Sequence, residues 1–190
     1  MRADFSGVIL AGGRSSRMGH PKAFLPLKGR RMIDIILEFF YSLFDEILIV
    51  TDDTTKFVDF RGVEVIQDLV KGCGPLGGIY TGLKAISREK AFLVACDMPF
   101  LHSELIERLL LASVENKYDC VVPSSFKGSE PLHAVYSTRI LPIIEDLLRG
   151  KDLSLNQLLK RCHCKYVKVE NKDISSFVNV NTPEQLQKVS

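Results

Sequence analysis

Three stretches of the chain carry residue types suited to phosphate chemistry. In "VILAGGRSSRMGHPK", Val8–Lys22, an apolar run stops at Gly12 and Gly13, and the cations Arg14, Arg17 and Lys22 follow. Glycines lack Cβ, so the backbone can turn sharply and bring its N–H groups close to phosphate oxygens. Arg17 can fork around a phosphate, whereas Lys22 supplies a compact charge for a transferring phosphoryl group. Pro21 stiffens the backbone just before that lysine. The stretch has neither the Gly-Lys-Ser/Thr of the Walker loop nor the three spaced glycines of the dinucleotide fingerprint. A plain glycine turn followed by solvated cations is the competing reading.

The second stretch is "FLVACDMPFL", Phe92–Leu101, an apolar run ending at Asp97 with Pro99 blocking its continuation. A carboxylate at the tip of a buried strand is costly unless it is solvated, paired or bound to metal. A hard Mg²⁺ ion prefers a carboxylate together with phosphate oxygens. Asp68, ending "VEVIQD", is a second acid of this kind, with a loop-bonding role as its alternative. The third stretch, "GCGPLGGIYTGL", packs five glycines into Gly72–Leu83. Gly74, Gly77 and Gly78 leave room for a flat ligand near a helix start. Later, "FVNVNTPEQL" sets Asn179 and Asn181 before Pro183. Amides there suit a heterocycle, and Asn181 or Thr182 equally suits a helix cap.

Short β-rich runs must position these residues. Strands are predicted at 5–10, 46–51, 63–66, 91–95, 120–123, 132–136 and 165–169, from their apolar, β-branched character and flanking breakers. Helices are predicted at 32–44, 78–86, 103–115, 138–148 and 153–161, with 183–189 closing the chain. Ser103 reads as an N-cap, Pro142 as a first-turn proline and Gly150 as a stop. Alternating strands and helices predict an α/β fold, a mostly parallel sheet with helices on both faces. The ends "LAGG", "TDD", "IQD" and "ACDMP" then converge on the carboxyl edge, where such sheets bind ligands. No linker or repeat divides the chain, so residues 1–190 read as a single domain.

Composition narrows the function classes. The 190 residues are 46% hydrophobic and 25% charged with a net charge of +2, which fits a globular domain rather than a basic nucleic-acid binder. Five cysteines without paired spacing do not form a disulfide framework. Cys162 and Cys164 around His163 are too close together for common zinc spacing and read as ordinary thiols. No signal-peptide layout or membrane-length apolar run is present, so a cytoplasmic protein is expected.

Taken together, "LAGGRSSRMG…K", "GPLGGI", "ACDMPFL", "PLHAVYS" and "FVNVNTPEQL" occur in the order and spacing of the molybdenum cofactor guanylyltransferases, which this chain resembles from Val8 to its end. The resemblance implies a Rossmann-like nucleotidyltransferase fold, Mg²⁺, and transfer of GMP from GTP to molybdopterin with release of pyrophosphate. It assigns Leu10, Ala11, Gly12 and Gly13 to the nucleotide loop, Lys22 to phosphate, Asp68 to guanosine and Asp97 to the metal. It places Arg17, Gly19, Gly74, Gly78, Asn179 and Asn181 on the pterin side. The chain departs from many relatives at Pro21, where an Asp is common, and at Thr51 or Asp52, where an Asn is common.

The implied chemistry needs positioning and charge neutralisation more than covalent catalysis. Lys22, Arg17 and Asp97 are its expected catalytic residues. A molybdopterin cytidylyltransferase and a sugar-phosphate nucleotidyltransferase are the enzyme alternatives, and a nucleotide-binding sensor is the non-catalytic one. Within the resemblance, Gly12–Gly13 and "CDMP" favour guanine, since the related cytidylyltransferases tend to show "LAAG" in the first loop, and the glycine stretch with "NVNTP" counts against a sugar phosphate. Transient contact with cofactor-insertion or acceptor proteins is expected, because a labile pterin product is better handed on than released.

Overall fold

A computed structural model describes residues 4–12, 22–126 and 128–180. Strand β1 (Ser6–Leu10) is buried at all five positions, as expected of an apolar run covered on both faces. It lies parallel to β4 (Glu46–Thr51) on one side and to β6 (Lys90–Ala95) on the other. Beyond β4 stands β5 (Glu64–Gln67), also parallel. Beyond β6 come β9 (His133–Ser137) and β7 (Cys120–Ser125), then β10 (Cys164–Lys168), giving the order β10-β7-β9-β6-β1-β4-β5. Short β8 (Gly128–Ser129) pairs with β7, and β2 (Pro26–Leu27) forms a separate hairpin with β3 (Arg30–Arg31).

Alternating side chains along the central strands feed two cores. Ile9, Ile49, Phe92 and Val94 point to one face, packed by Ile33, Ile36 and Phe40 of α1 (Met32–Leu43) and by Leu105 and Leu109 of α3 (Ser103–Val114). Val8, Leu10, Leu48, Val50 and Leu93 point to the other. There they meet Leu76, Ile79 and Leu83 of α2 (Gly74–Ala85), Ile144 and Leu147 of α4 (Leu141–Arg149), and Leu158 and Leu159 of α5 (Leu155–Arg161).

Two glycines set how closely the helices approach β1. A Cβ on Gly7 would stand 2.6 Å from a ring carbon of Phe40 and 2.7 Å from one of Phe44. Those rings pack with Phe92 as an aromatic cluster, centroids 5.1 to 6.1 Å apart. On the opposite face, a Cβ on Gly82 would stand 2.8 Å from Val8 Cγ1, so α2 lies directly on β1.

The expected strands and helices are present with shifted ends, and the C-terminal helix at 183–189 lies outside the described residues. Five differences stand out. The strand at 132–136 is antiparallel to both neighbours, a direction that an apolar run does not encode. Helix α2 begins at Gly74 rather than 78, so Gly77 and Gly78 are helical residues. His102, not Ser103, occupies the N-cap position of α3, and no side chain caps it. The stretch from Thr138 divides into a 3-10 turn (Thr138–Ile140) and α4, where Pro142 takes its expected place in the first turn and Gly150 caps the end. The β2–β3 hairpin was not expected; Lys28 and Gly29, both at positive φ, make its two-residue turn. No helix among the described residues is long and apolar enough to cross a membrane.

Overpacking a filled core costs about 1–3 kcal/mol. Gly7→Ala is therefore expected to lower the unfolding free energy from urea titration by about 1–3 kcal/mol, with a lower midpoint, because Phe40 and Phe44 are both buried. An unchanged midpoint would contradict the packing described for β1.

Candidate functional site

Strands β1, β4, β5 and β6 run parallel, so their carboxyl ends share one edge. The chain leaves β1 through α1 toward β4, whereas it leaves β6 through α3 toward β7 on the opposite side. The strand order thus reverses between β1 and β6, and a crevice opens where the two departing segments diverge. It holds a cavity of about 700 Å³ lined by Leu10, Ala11 and Gly12 at the end of β1 and by Ala95, Cys96 and Asp97 at the end of β6. Main-chain bonds fix this floor. Ala11 N–H donates to Val50 O at 2.8 Å, and Cys96 N–H donates to Leu10 O at 3.0 Å.

The opposite charges at the mouth of the crevice come from distant parts of the sequence. Lys22 opens a 3-10 turn (Lys22–Phe24) ahead of β2, and its Nζ lies 3.2 Å from Asp97 Oδ2. Their side chains keep 33% and 18% of their exposure, so both remain accessible to a ligand. Asp97 is held at its backbone, where its carbonyl accepts from Val180 N–H at 2.8 Å. Neighbouring Cys96 is a poor nucleophile. Burial first, then the adjacent Asp97 carboxylate, pushes its thiol up to about 12, so it stays protonated at neutral pH.

At the other end of the cavity, Asp68 has a loop-forming role as well as a lining one. Its Oδ1 accepts from Thr81 Oγ at 2.7 Å and from Val70 N–H at 3.1 Å. The Thr81 hydroxyl in turn accepts from Leu69 N–H at 3.0 Å. This network ties the loop after β5 to α2 and steadies the cavity wall. Gly74, at φ +60 with nothing within 4 Å of a built Cβ, takes a left-handed turn at the open start of α2. Gly78 also lines the cavity, and its missing side chain admits Leu10, whose Cδ2 lies 3.2 Å from a built Cβ. Gly77, expected to make room for a ligand, instead faces the Val70 carbonyl at 2.9 Å from a built Cβ. Its bareness serves the loop.

The cavity therefore brings together Leu10, Ala11, Gly12, Lys22, Asp68, Gly74, Gly78 and Asp97. Asn179 is exposed and is not among the lining residues; it stands beside Val180, which bonds the Asp97 backbone. Gly13, Arg17, Gly19 and Asn181 lie outside the described residues. Asp52 and Lys71 also line the cavity, and neither was singled out from the sequence as a site residue. Asp52 stands in the converging "TDD" end, with its carboxylate 3.6 Å from a Cβ built on Gly12. Lys71 immediately precedes the glycine stretch, where one charge in a loop gives no signal by itself. Among the described residues, no group of three or more His, Cys, Asp or Glu could hold a metal ion on its own. Asp97 could contribute one carboxylate to a cation whose other ligands come from a bound phosphate.

Comparisons with known proteins agree with this architecture. The MobA-like NTP transferase domain matches residues 7–166. A protein named "Probable molybdenum cofactor guanylyltransferase" from Natranaerobius thermophilus is 36% identical over 98% of this chain and 95% of its own length. The crystal structure of molybdopterin-guanine dinucleotide biosynthesis protein A from Archaeoglobus fulgidus superposes with a TM-score of 0.84 at 28% identity, covering 97% of this chain and 96% of that one. The 2-C-methyl-D-erythritol 4-phosphate cytidylyltransferase of Thermus thermophilus shares the fold, with a TM-score of 0.73 at 19% identity over 97% of this chain and 96% of that one. With its cavity at the reversal of strand order and its match across most of the sequence, the chain belongs to the MobA-like NTP transferase family and is a nucleotidyltransferase.

Proposed function

We propose that residues 1–190 act as one nucleotidyltransferase domain that transfers GMP from GTP to the terminal phosphate of molybdopterin. The observation that carries the reading is the Lys22–Asp97 pair, 3.2 Å apart at the mouth of a crevice floored by the Gly12 loop. An anion such as a triphosphate would draw Lys22 toward itself and leave the Asp97 carboxylate for a cation. The relatives' names supply the substrate class.

In the reaction, an oxygen of the acceptor phosphate forms a bond to the α-phosphorus of GTP. The bond from that phosphorus to the β-bridging oxygen breaks, and pyrophosphate leaves with its electron pair. The attacking oxygen is already anionic, so no general base is required, and a buried protonated Cys96 beside the site is no obstacle. Lys22 neutralises charge that develops on the α- and β-phosphates, and main-chain N–H groups of the Gly12 loop add preorganised dipoles. Arg17 would grip a phosphate with its guanidinium fork. Asp97 would hold Mg²⁺, which takes one or two protein carboxylates along with substrate phosphate oxygens. When bound, that ion neutralises phosphate charge and aligns the phosphates. Asp52 and Asp68 offer carboxylate acceptors to a nucleobase. Guanine, with N1–H and an exocyclic amine side by side, suits such acceptors better than cytosine, which has one amine.

Acceptor-dependent pyrophosphate release with Mg²⁺ tests the reading, run with GTP and with CTP. Release only with GTP and molybdopterin together is expected. Preference for CTP would move the protein to cytidylyl transfer, and no release with either would overturn the proposal. Lys22→Ala and Asp97→Ala are each expected to lower turnover by about 10²–10³-fold, the usual loss of one preorganised charge contact. Near-normal turnover in either folded variant would remove that residue from the chemistry. Chelation of divalent ions should abolish release, and added Mg²⁺ should restore it; activity that persists in chelator would exclude the metal role of Asp97.

A further inference from the structure

Behind the cavity lies a second polar cluster that the proposed chemistry does not use. Asp173 is fully buried and forms an ion pair with Arg108 of α3. The other arm of the Arg108 guanidinium reaches Glu170. Asp173 Oδ2 also accepts from Glu170 N–H at 3.1 Å, closing a capping box at the start of a 3-10 helix (Asn171–Phe177). His133, on β9, sits edge-on between the rings of Phe92 and Phe177, with centroids 5.0 and 5.3 Å away. Burial pulls its imidazole down to about 3, so it is neutral, and His102 Nδ1 stands 3.9 Å from Asp173 Oδ1.

Burying such a pair does not by itself stabilise a fold. Desolvation of an ion pair roughly cancels its attraction, and apolar residues of similar volume often do as well or better. What the pair does is fix one register, and that register reaches the active crevice. The 3-10 helix is tied to the body at Asp173, and also by Ser175 Oγ to His102 Nε2 at 3.2 Å. It runs directly into Val178–Val180, where Val180 N–H meets the Asp97 carbonyl at 2.8 Å. The Val180 side chain is fully buried against Leu25, Leu27 and Met32, with Phe100 alongside. Leu25 and Leu27 follow Lys22 within five residues, and Phe100 follows Asp97 within three. One segment thus touches the supports of both opposing charges.

We propose that the Arg108–Asp173 ion pair, with its carboxylate fully buried and its guanidinium half-buried, is a positioning device that holds residues 171–180 in register and thereby sets the Asp97 carboxylate relative to Lys22. Arg108 and Asp173 touch neither substrate nor metal; they act through Val180. The inference rests on the reading of Asp97 as the cation-holding residue.

Two variants and one control test it. Arg108→Lys keeps a cation beside Asp173 but loses the fork that reaches Glu170 as well. The double variant Arg108→Met/Asp173→Asn removes both charges with little change of volume and keeps a side-chain oxygen for the Glu170 N–H, so its denaturation midpoint should stay close to the wild-type value. Glu104→Gln breaks only the exposed Lys172–Glu104 contact to the same 3-10 helix, a surface pair of little energetic weight. Mn²⁺ affinity is measured by electron paramagnetic resonance with a non-hydrolysable GTP analogue present, alongside nucleotide affinity without metal. Both Arg108 variants are expected to weaken Mn²⁺ binding about 10–100-fold, the usual effect of losing an outer partner of a metal ligand. Metal-free nucleotide affinity and the Glu104→Gln control should stay at the wild-type value. Wild-type Mn²⁺ affinity in either Arg108 variant, or an equal loss in Glu104→Gln, would overturn the positioning role. Acceptor-dependent pyrophosphate release by the wild type is scored separately, so failure of the guanylyl-transfer reading is distinguishable from failure of this one.

Discussion

A strand paired on both edges and covered on both faces can send its chain onward only along its own axis. β1 is in that position, with all five residues buried between β4 and β6 and helices packed directly above and below. The constraint propagates outward. Gly7 is bare because the Phe40 and Phe44 rings occupy the place of its side chain, and Gly82 is bare because Val8 does. With no space at its sides, the segment after Leu10 emerges at the carboxyl edge beside the end of β6, and the reversal of strand order keeps that place open. The cavity is therefore a consequence of how β1 is packed, and the Gly12 loop inherits its location.

What occupies the edge is a matter of charge. Lys22 and Asp97 are 75 residues apart in sequence, meet at 3.2 Å and stay partly exposed. A pair made only for stability at such a site would contribute little, since exposed ion pairs are screened and cost side-chain freedom. Two opposite charges at the mouth of a ligand-sized cavity are better explained by a ligand that carries both, an anion with its cation. The Arg108–Asp173 pair behind them differs in kind. It is closed off from solvent on the Asp173 side and couples to the edge through Val180, by its backbone N–H and its buried side chain.

Half of the residues that line the cavity were legible in the sequence, chiefly because they follow strand ends. Asp97 comes two residues after β6 and Gly12 two after β1, positions that an apolar run stopping at small residues marks plainly. Lys22 was legible through its neighbours, the glycines and the stiff Pro21. Other features were not, for physical reasons. Strand direction depends on the connection rather than on the strand's own residues, so β9 read no differently from a parallel strand. The glycines of "GPLGG" look alike in sequence, yet Gly74 turns the chain, Gly77 makes way for the Val70 carbonyl and Gly78 for Leu10. Asp52 lines the cavity because β4 ends beside β1. The Arg108–Asp173 pair spans 65 residues, and nothing local to either side chain announces the other.

The crevice between β1 and β6 is proposed to receive the triphosphate between Lys22 and Asp97. The decisive experiment is a crystal structure with Mg²⁺ and a GTP analogue blocked at the α–β bridge. Phosphates are expected against the Gly12 loop, with Lys22 Nζ on a phosphate oxygen and the Asp97 carboxylate on the cation. A nucleotide bound elsewhere, for instance in the surface hollow lined by Arg30, Tyr41 and Arg61, or a cation with no contact to Asp97, would contradict it.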